Sequence, residues 1–218
     1  MTTHTHQAAM AARSLPRTRA AAAADLRLPG FLLFILAAQF MTVIMLAASI
    51  APDYDVSGGA ISDLGVIAET ALLFNVSLIA VGVLNVVGGY GFFRSHGRPW
   101  ILATFVIAGI GAAGAGLLPL DRSDLHGIFA LLAFAFFNVQ AIAAGLVLRG
   151  PMRPISIVAG LAGMAFVVLM VIGDSGNPAV FGPIGHGGAE RMIVYPVMLW
   201  LMAFGGYLMA ERTAAGEG

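Results

Sequence analysis

ISIVAGLAGMAFVVLMVIG, residues 155–173, holds no charged side chain, and Ser156 is its one hydrogen-bonding side chain. At 1.5 Å per residue a helix of this length covers about 28 Å, close to the roughly 30 Å of a bilayer's hydrocarbon layer. Arg153 precedes the run and Asp174 follows it. The stretch therefore reads as a transmembrane helix with a cation at one end and an anion at the other.

The same reading extends in both directions along the chain. Uncharged or nearly uncharged runs cover Pro29–Ile50, Ala68–Phe93, Pro99–Leu118, Leu125–Leu148 and Glu190–Ala210, giving six spans with Ile155–Gly173. Hydrophobic residues make up 59% of the 218, charged residues only 10%, and mean hydropathy is +0.91. A soluble chain carries about a quarter charged residues, so the deficit must face lipid. The expected fold is all-α, a polytopic membrane bundle of six transmembrane helices over residues 29–210. No room is left for a second domain. Residues 1–28, rich in Ala, Thr and Arg and including His4 and His6, read as a disordered cytoplasmic tail rather than a targeting peptide, and 211–218 as a short second tail. Cysteine is absent, which excludes disulfides and thiolate chemistry. The lysine-free composition, rich in Ala, Gly and Arg, suggests a bacterial source.

Charges sort by side. Arg13, Arg17, Arg19, Arg27, Arg94, Arg98, Arg149, Arg153 and Arg212 fall at one end of the alternating spans, against Asp25, Glu211 and Glu217. Asp53, Asp55, Asp63, Glu69, Asp121, Asp124, Asp174 and Glu190 fall at the other, against Arg122 and Arg191. Arginine flanking short loops is held in the cytoplasm, so both termini are expected there, in a cell membrane. Acidic residues have little influence on orientation, so their concentration at the other end calls for its own explanation.

Polar residues inside the spans are few: Asn75, Ser77, Asn85, Thr104, Asn138, Gln140, Ser156, Tyr195 and Tyr207. No charge lies near the midplane, which disfavours an ion pathway or proton relay. Asn and Gln there read as links between helices, and Ala108, Ala112 and Gly116, four apart, as a close-packing face. Pro196 is expected to kink the last span. Ala68-Glu69 and Ala189-Glu190 form a short repeat, each at the entry of a span after a glycine-containing loop.

The chemistry-bearing residues gather at the acidic mouth: Ser62, Asp63, Asn75, Asp121, His126, Asp174, His186, Glu190, Arg191 and Tyr195. Three readings are open. His126 and His186 with Asp63, or with Asp121 or Asp174, hold zinc and activate water, making a metal-dependent lipid hydrolase. Alternatively, Arg191 and Arg122 pair with a lipid phosphate while His126 and the acids bind hydroxyls. Thirdly, the residues are structural: Asp124 caps the fourth helix, Glu190 starts the sixth, and Arg191 neutralises a carboxylate.

Ala60-Ile61-Ser62-Asp63-Leu64-Gly65 after the first span, then Leu73-Phe74-Asn75, Leu118-Pro119-Leu120-Asp121, Leu125-His126-Gly127, and Glu190-Arg191 before Tyr195-Pro196, resemble the membrane family known as domain of unknown function 998. The resemblance covers roughly residues 29–210. Ile61-Ser62-Asp63 and His126 are also distantly similar to the six-span DRAM and FRAG group, which is linked to autophagy and GPI-lipid remodelling. Together these resemblances imply a mouth site on Ser62, Asp63, Asn75 and His126, facing lipid, with no activity attached. The zinc-dependent ceramidase and adiponectin-receptor group has seven helices and three histidines at zinc. This chain has six spans and two histidines at the mouth, which leaves that likeness too thin to use. The expected protein is thus a lipid-interacting or membrane-organising one, with a zinc hydrolase and a small-molecule transporter as the alternatives. Membrane lipid is the expected partner, and nucleic acid is not.

Overall fold

The computed structural model describes residues 25–211. The readings of 1–24, with His4, His6, Arg13, Arg17 and Arg19, and of 212–218, with Arg212 and Glu217, lie outside the described residues. Six long helices follow in order: α1 (Arg27–Ile50), α2 (Ala71–His96), α3 (Pro99–Leu117), α4 (His126–Val147), α5 (Met152–Asp174) and α6 (Gly185–Ala210). All six are long and apolar enough to cross a membrane, and no strand occurs among the described residues. The protein is a multi-pass membrane protein.

Each helix packs on its neighbours in sequence, and α6 closes back on α1, so the six form a ring. Across it, α4 also touches α6. The ring is tight because small residues let backbones meet. A Cβ added to Gly82 of α2 would collide with the carbonyl of Gly109 on α3, and Gly30 of α1 faces Gly205 of α6 in the same way. Without a hydrophobic drive between helices in lipid, such close contact is a main source of association. Large apolar side chains such as Leu72, Val76, Val83, Val158, Leu161 and Leu199 stay exposed on the outside, where acyl chains would cover them.

Polar side chains in the spans link helices, as their placement in the sequence suggests. Asn85 of α2 and Gln140 of α4 exchange amide hydrogen bonds of 2.9 and 3.1 Å. Trp200 Nε1 of α6 donates to Ser156 Oγ of α5 at 2.7 Å. Ser77 of α2 donates to Gln39 Oε1 of α1 at 2.7 Å, a partner that the reading of polar residues along the spans had passed over.

At the arginine end the turns are short. Gly97, at φ 67°, ends α2 in the left-handed conformation and Pro99 opens α3 at once. The acidic end is built differently. The connection from α1 to α2 folds into a 3-10 helix (Ile61–Gly65), and that from α5 to α6 into another (Pro178–Ile184).

Several boundaries differ from those read in the sequence. Helix α1 begins at Arg27, inside the stretch assigned to the N-terminal tail; the Arg27 N–H is held by Asp25 Oδ1 at 3.1 Å. The largest difference is in α6, which starts five residues before Glu190. Gly185-His186-Gly187-Gly188, a loop by its glycine content, is the first turn of the helix. Its glycines serve close approach: a Cβ on Gly187 would run into the carbonyl of Gly59 in the first long connection. The helix then continues unbroken through Pro196, whose missing N–H leaves the Met192 carbonyl without its helical donor.

Candidate functional site

The acidic mouth contains two neighbouring polar sets, both involving the start of α6. The first is a clamp made by Glu190 and Arg191, which are 2% and 7% exposed. Arg191 Nη1 donates to the carbonyls of Val56 at 2.8 Å, Gly187 at 2.9 Å and Gly59 at 3.3 Å. Its Nη2 donates to the Tyr54 hydroxyl at 2.8 Å, and the guanidinium lies 5.7 Å from the centre of the Tyr54 ring. Tyr54 in turn donates to the Ala60 carbonyl at 2.7 Å. Burial raises the Tyr54 pKa above the ordinary tyrosine value, opposed by the hydrogen bond and charge of Arg191. Glu190 accepts the Ile61 N–H through one oxygen and the Ser62 hydroxyl through the other, at 3.4 Å for the second. Ser57 completes the seam: its Oγ donates to the Ile184 carbonyl at 3.0 Å, and its own carbonyl accepts from Gly187 N–H at 2.8 Å.

Consecutive residues on a helix point about 100° apart. Glu190 and Arg191 can therefore grip two places on the same loop, the start of the 3-10 helix and the turn before it. Arg191 here donates to backbone carbonyls and the Tyr54 hydroxyl. Glu190 sits in the second turn of α6 and does not start it. Glu69, its counterpart in the short repeat, is exposed in the turn before α2, so the two glutamates do different work.

Other acids are also used by backbone. Asp55 accepts from Ser57 N–H at 2.9 Å and Gly58 N–H at 2.8 Å, and Asp63 Oδ2 from Ala60 N–H at 2.9 Å. These are turn and cap roles for short carboxylates. Ser123, and not Asp124, accepts the Leu125 N–H before α4, at 3.2 Å. Asn75 donates to the Gly65 carbonyl at 2.8 Å, tying the 3-10 helix to α2.

The second set lines a groove of about 410 Å³ between α4, the end of α5 and the start of α6. Its apolar walls include Leu120, Ala130, Leu131, Phe134, Met170 and Val171. Ser62, His126, Asp174, His186 and Glu190 supply its polar wall. His186 Nε2 lies 3.2 Å from Asp174 Oδ1, and its ring meets Phe181 edge-on at 5.2 Å. His126 is 4% exposed. Its Nδ1 faces the Leu118 carbonyl at 2.9 Å, and its Nε2 has no partner. A smaller chamber of about 50 Å³ inside the ring shares Ser62, Ala130, Phe134 and Glu190 with the groove. Asn138, whose Oδ1 is also without a partner, lines that chamber.

The ten residues singled out in the sequence thus divide. Five line the groove, and Arg191 completes the clamp. Asp63 caps the 3-10 helix. Asn75 and Asp121 line a separate surface pocket of about 430 Å³ with Arg122. Tyr195 is half-buried against the main core. The residues named for zinc do not converge: His126 and His186 line the groove, while Asp63 caps backbone. Among the described residues no three His, Asp or Glu side chains form a metal-holding group. Tyr54 and the carbonyls that hold Arg191 and His126 were missed. An aromatic residue amid the polar loop Asp53-Tyr54-Asp55 was the available signal for the first, and backbone acceptors leave none.

The family described as Protein of unknown function (DUF998) matches residues 34–207, and the chain belongs to it. No curated protein and no solved structure matches the chain.

Proposed function

We propose that this DUF998 member binds a membrane lipid by its headgroup in the groove between α4, α5 and α6. The observation that carries this reading is the His126 ring: it is buried, it forms part of the groove wall, and its Nε2 has no partner within the protein. Buried polar atoms are nearly always hydrogen-bonded, so such an orphan marks a place where something else binds. The groove's composition suits an amphiphile, with apolar walls for the chain and a polar wall for the head. Its volume falls within the range of small-molecule sites. Its position, where α5 ends and α4 and α6 begin, is the depth at which headgroups meet hydrocarbon.

The arginine-bearing end faces the cytoplasm in this reading, which puts the groove on the opposite side. Arg27, Arg94, Arg98, Arg149 and Arg153 all flank short turns or helix ends there, as orientation by positive charge requires. Modification of single cysteines placed in the Asp121–Asp124 turn and beside Arg149, with a reagent that cannot cross membranes, tests it.

Gly127 provides a clean test of the site. It lines the groove, and a side chain built on it meets nothing within 4 Å. Gly127→Phe should fold normally while filling the groove. Native mass spectrometry of the full chain is expected to show co-purified lipid on the parent protein and its loss on Gly127→Phe. Equal lipid on both would overturn the proposal.

A further inference from the structure

The hydrogen-bonding character of the groove restricts the head it can take. The Leu118 carbonyl can only accept, so His126 Nδ1 carries the proton that bonds it. In the neutral ring Nε2 is then a lone pair, and it accepts. Asp174 Oδ1 lies 3.2 Å from His186 Nε2, and its carboxylate has further acceptor sites. Ser62 spends its hydroxyl hydrogen on Glu190, and Glu190 already takes two donors. The cation closest in sequence, Arg191, has four acceptors around its Nη atoms, at Val56, Gly59, Gly187 and Tyr54. Arg122 lines the separate pocket beside Asn75. The groove wall therefore offers the His126 lone pair and the Asp174 and Glu190 carboxylates, and no arginine lines it.

We infer that the lipid head seated against His126 and Asp174 is an ammonium group, and that a bare phosphate is rejected. An ammonium brings three donors and a positive charge to a lone pair without a partner and to the carboxylate beside it. A phosphate brings only acceptors and negative charge to the same wall, and like charges placed against each other exclude a ligand. The inference rests on the lipid reading above, and names the class of head that it needs.

The test compares dodecylammonium with dodecyl phosphate on the full-length chain in an uncharged maltoside detergent at neutral pH, with native mass spectrometry counting bound amphiphile. The same chain length makes the head the only variable. Dodecylammonium should bind the parent protein at least about tenfold more tightly than dodecyl phosphate, and Gly127→Phe should abolish that binding. Asp174 is exposed, so its variants should fold. Asp174→Asn should reduce the preference, and Asp174→Arg should reverse it. Dodecyl phosphate binding as tightly or more tightly, and blocked by Gly127→Phe, overturns the ammonium assignment and leaves the lipid site standing. Failure of Gly127→Phe to reduce binding of either amphiphile overturns the site itself. A preference unchanged in Asp174→Arg also overturns the inference, because the charge argued to set selectivity would not be setting it.

Discussion

The Arg191 clamp and the His126 groove lie side by side at one mouth, contain buried polar side chains of comparable burial, and differ in whether those side chains have found partners. Arg191 has four acceptors around its Nη atoms, all supplied by the chain. His126 has one partner for two ring nitrogens. A charged group engaged by its own chain is accounted for by folding: it holds the Tyr54–Ser62 segment onto α6. An imidazole nitrogen buried without a partner is a cost to folding that the fold does not recover. It makes sense as part of a site completed by another molecule.

The contrast can be broken most severely at Arg191. Replacing it with Met removes the charge and takes the Arg191 donors from the Val56 carbonyl and the Tyr54 hydroxyl. A loss of roughly 3 kcal/mol is expected, since hydrogen bonds to charged groups contribute more than neutral ones. Thermal unfolding in detergent measures it, and hydrogen exchange should show Ser57 to Ala60 opening first. A variant as stable as the parent would mean the clamp does not hold the loop.

Tyr54→Phe is the next step down. It removes one acceptor of Arg191 and the donor to Ala60, at a cost of roughly 1–2 kcal/mol. The same hydroxyl gives the clamp a pH limit. The folded protein favours protonated Tyr54, so its contribution is complete below the ordinary tyrosine pKa of about 10 and is lost as pH rises through the higher folded value. Stability measured from neutral to strongly alkaline pH should fall over that upper range, and Tyr54→Phe should flatten that part of the fall. An identical alkaline profile in the variant would remove Tyr54 from the account.

The smallest effect on stability is expected at the most interesting residue. His126→Phe loses the bond to Leu118 but also removes the orphaned nitrogen, so unfolding should shift by no more than about 1 kcal/mol. Co-purified lipid should nevertheless disappear. A strongly destabilised variant that keeps its lipid would place His126 with Arg191 as architecture.

What could be read from the chain follows the same division. The six helices were legible because a charge-free run of some twenty residues has few other uses, and arginine and acid mark its ends. The start of α6 was not, since Gly185, Gly187 and Gly188 signal a loop in isolation, while Gly185 and Gly187 serve here to admit the Ser57–Gly59 backbone. Glu190 and Arg191 were legible as important residues, but not in their role, because most of their partners are main-chain groups that no side-chain pattern specifies. His126 opens α4 at the acidic end of the helices. Its significance depends on which ring nitrogen meets the Leu118 carbonyl, a fact that exists only in three dimensions. The acidic character of the mouth also has a plainer meaning than the sequence suggested, since Asp55 and Asp63 hold backbone N–H groups, while Asp174 and Glu190 line the groove.

The most direct test of this contrast is a structure of the full-length protein determined in its native lipids, at a resolution that shows the groove. The account predicts an amphiphile whose head atom lies within hydrogen-bonding distance of His126 Nε2, about 2.7–3.2 Å, with Arg191 still bound to the loop carbonyls. A groove in which apolar side chains close over Nε2, or in which Arg191 has left the loop to meet a lipid phosphate, would contradict it.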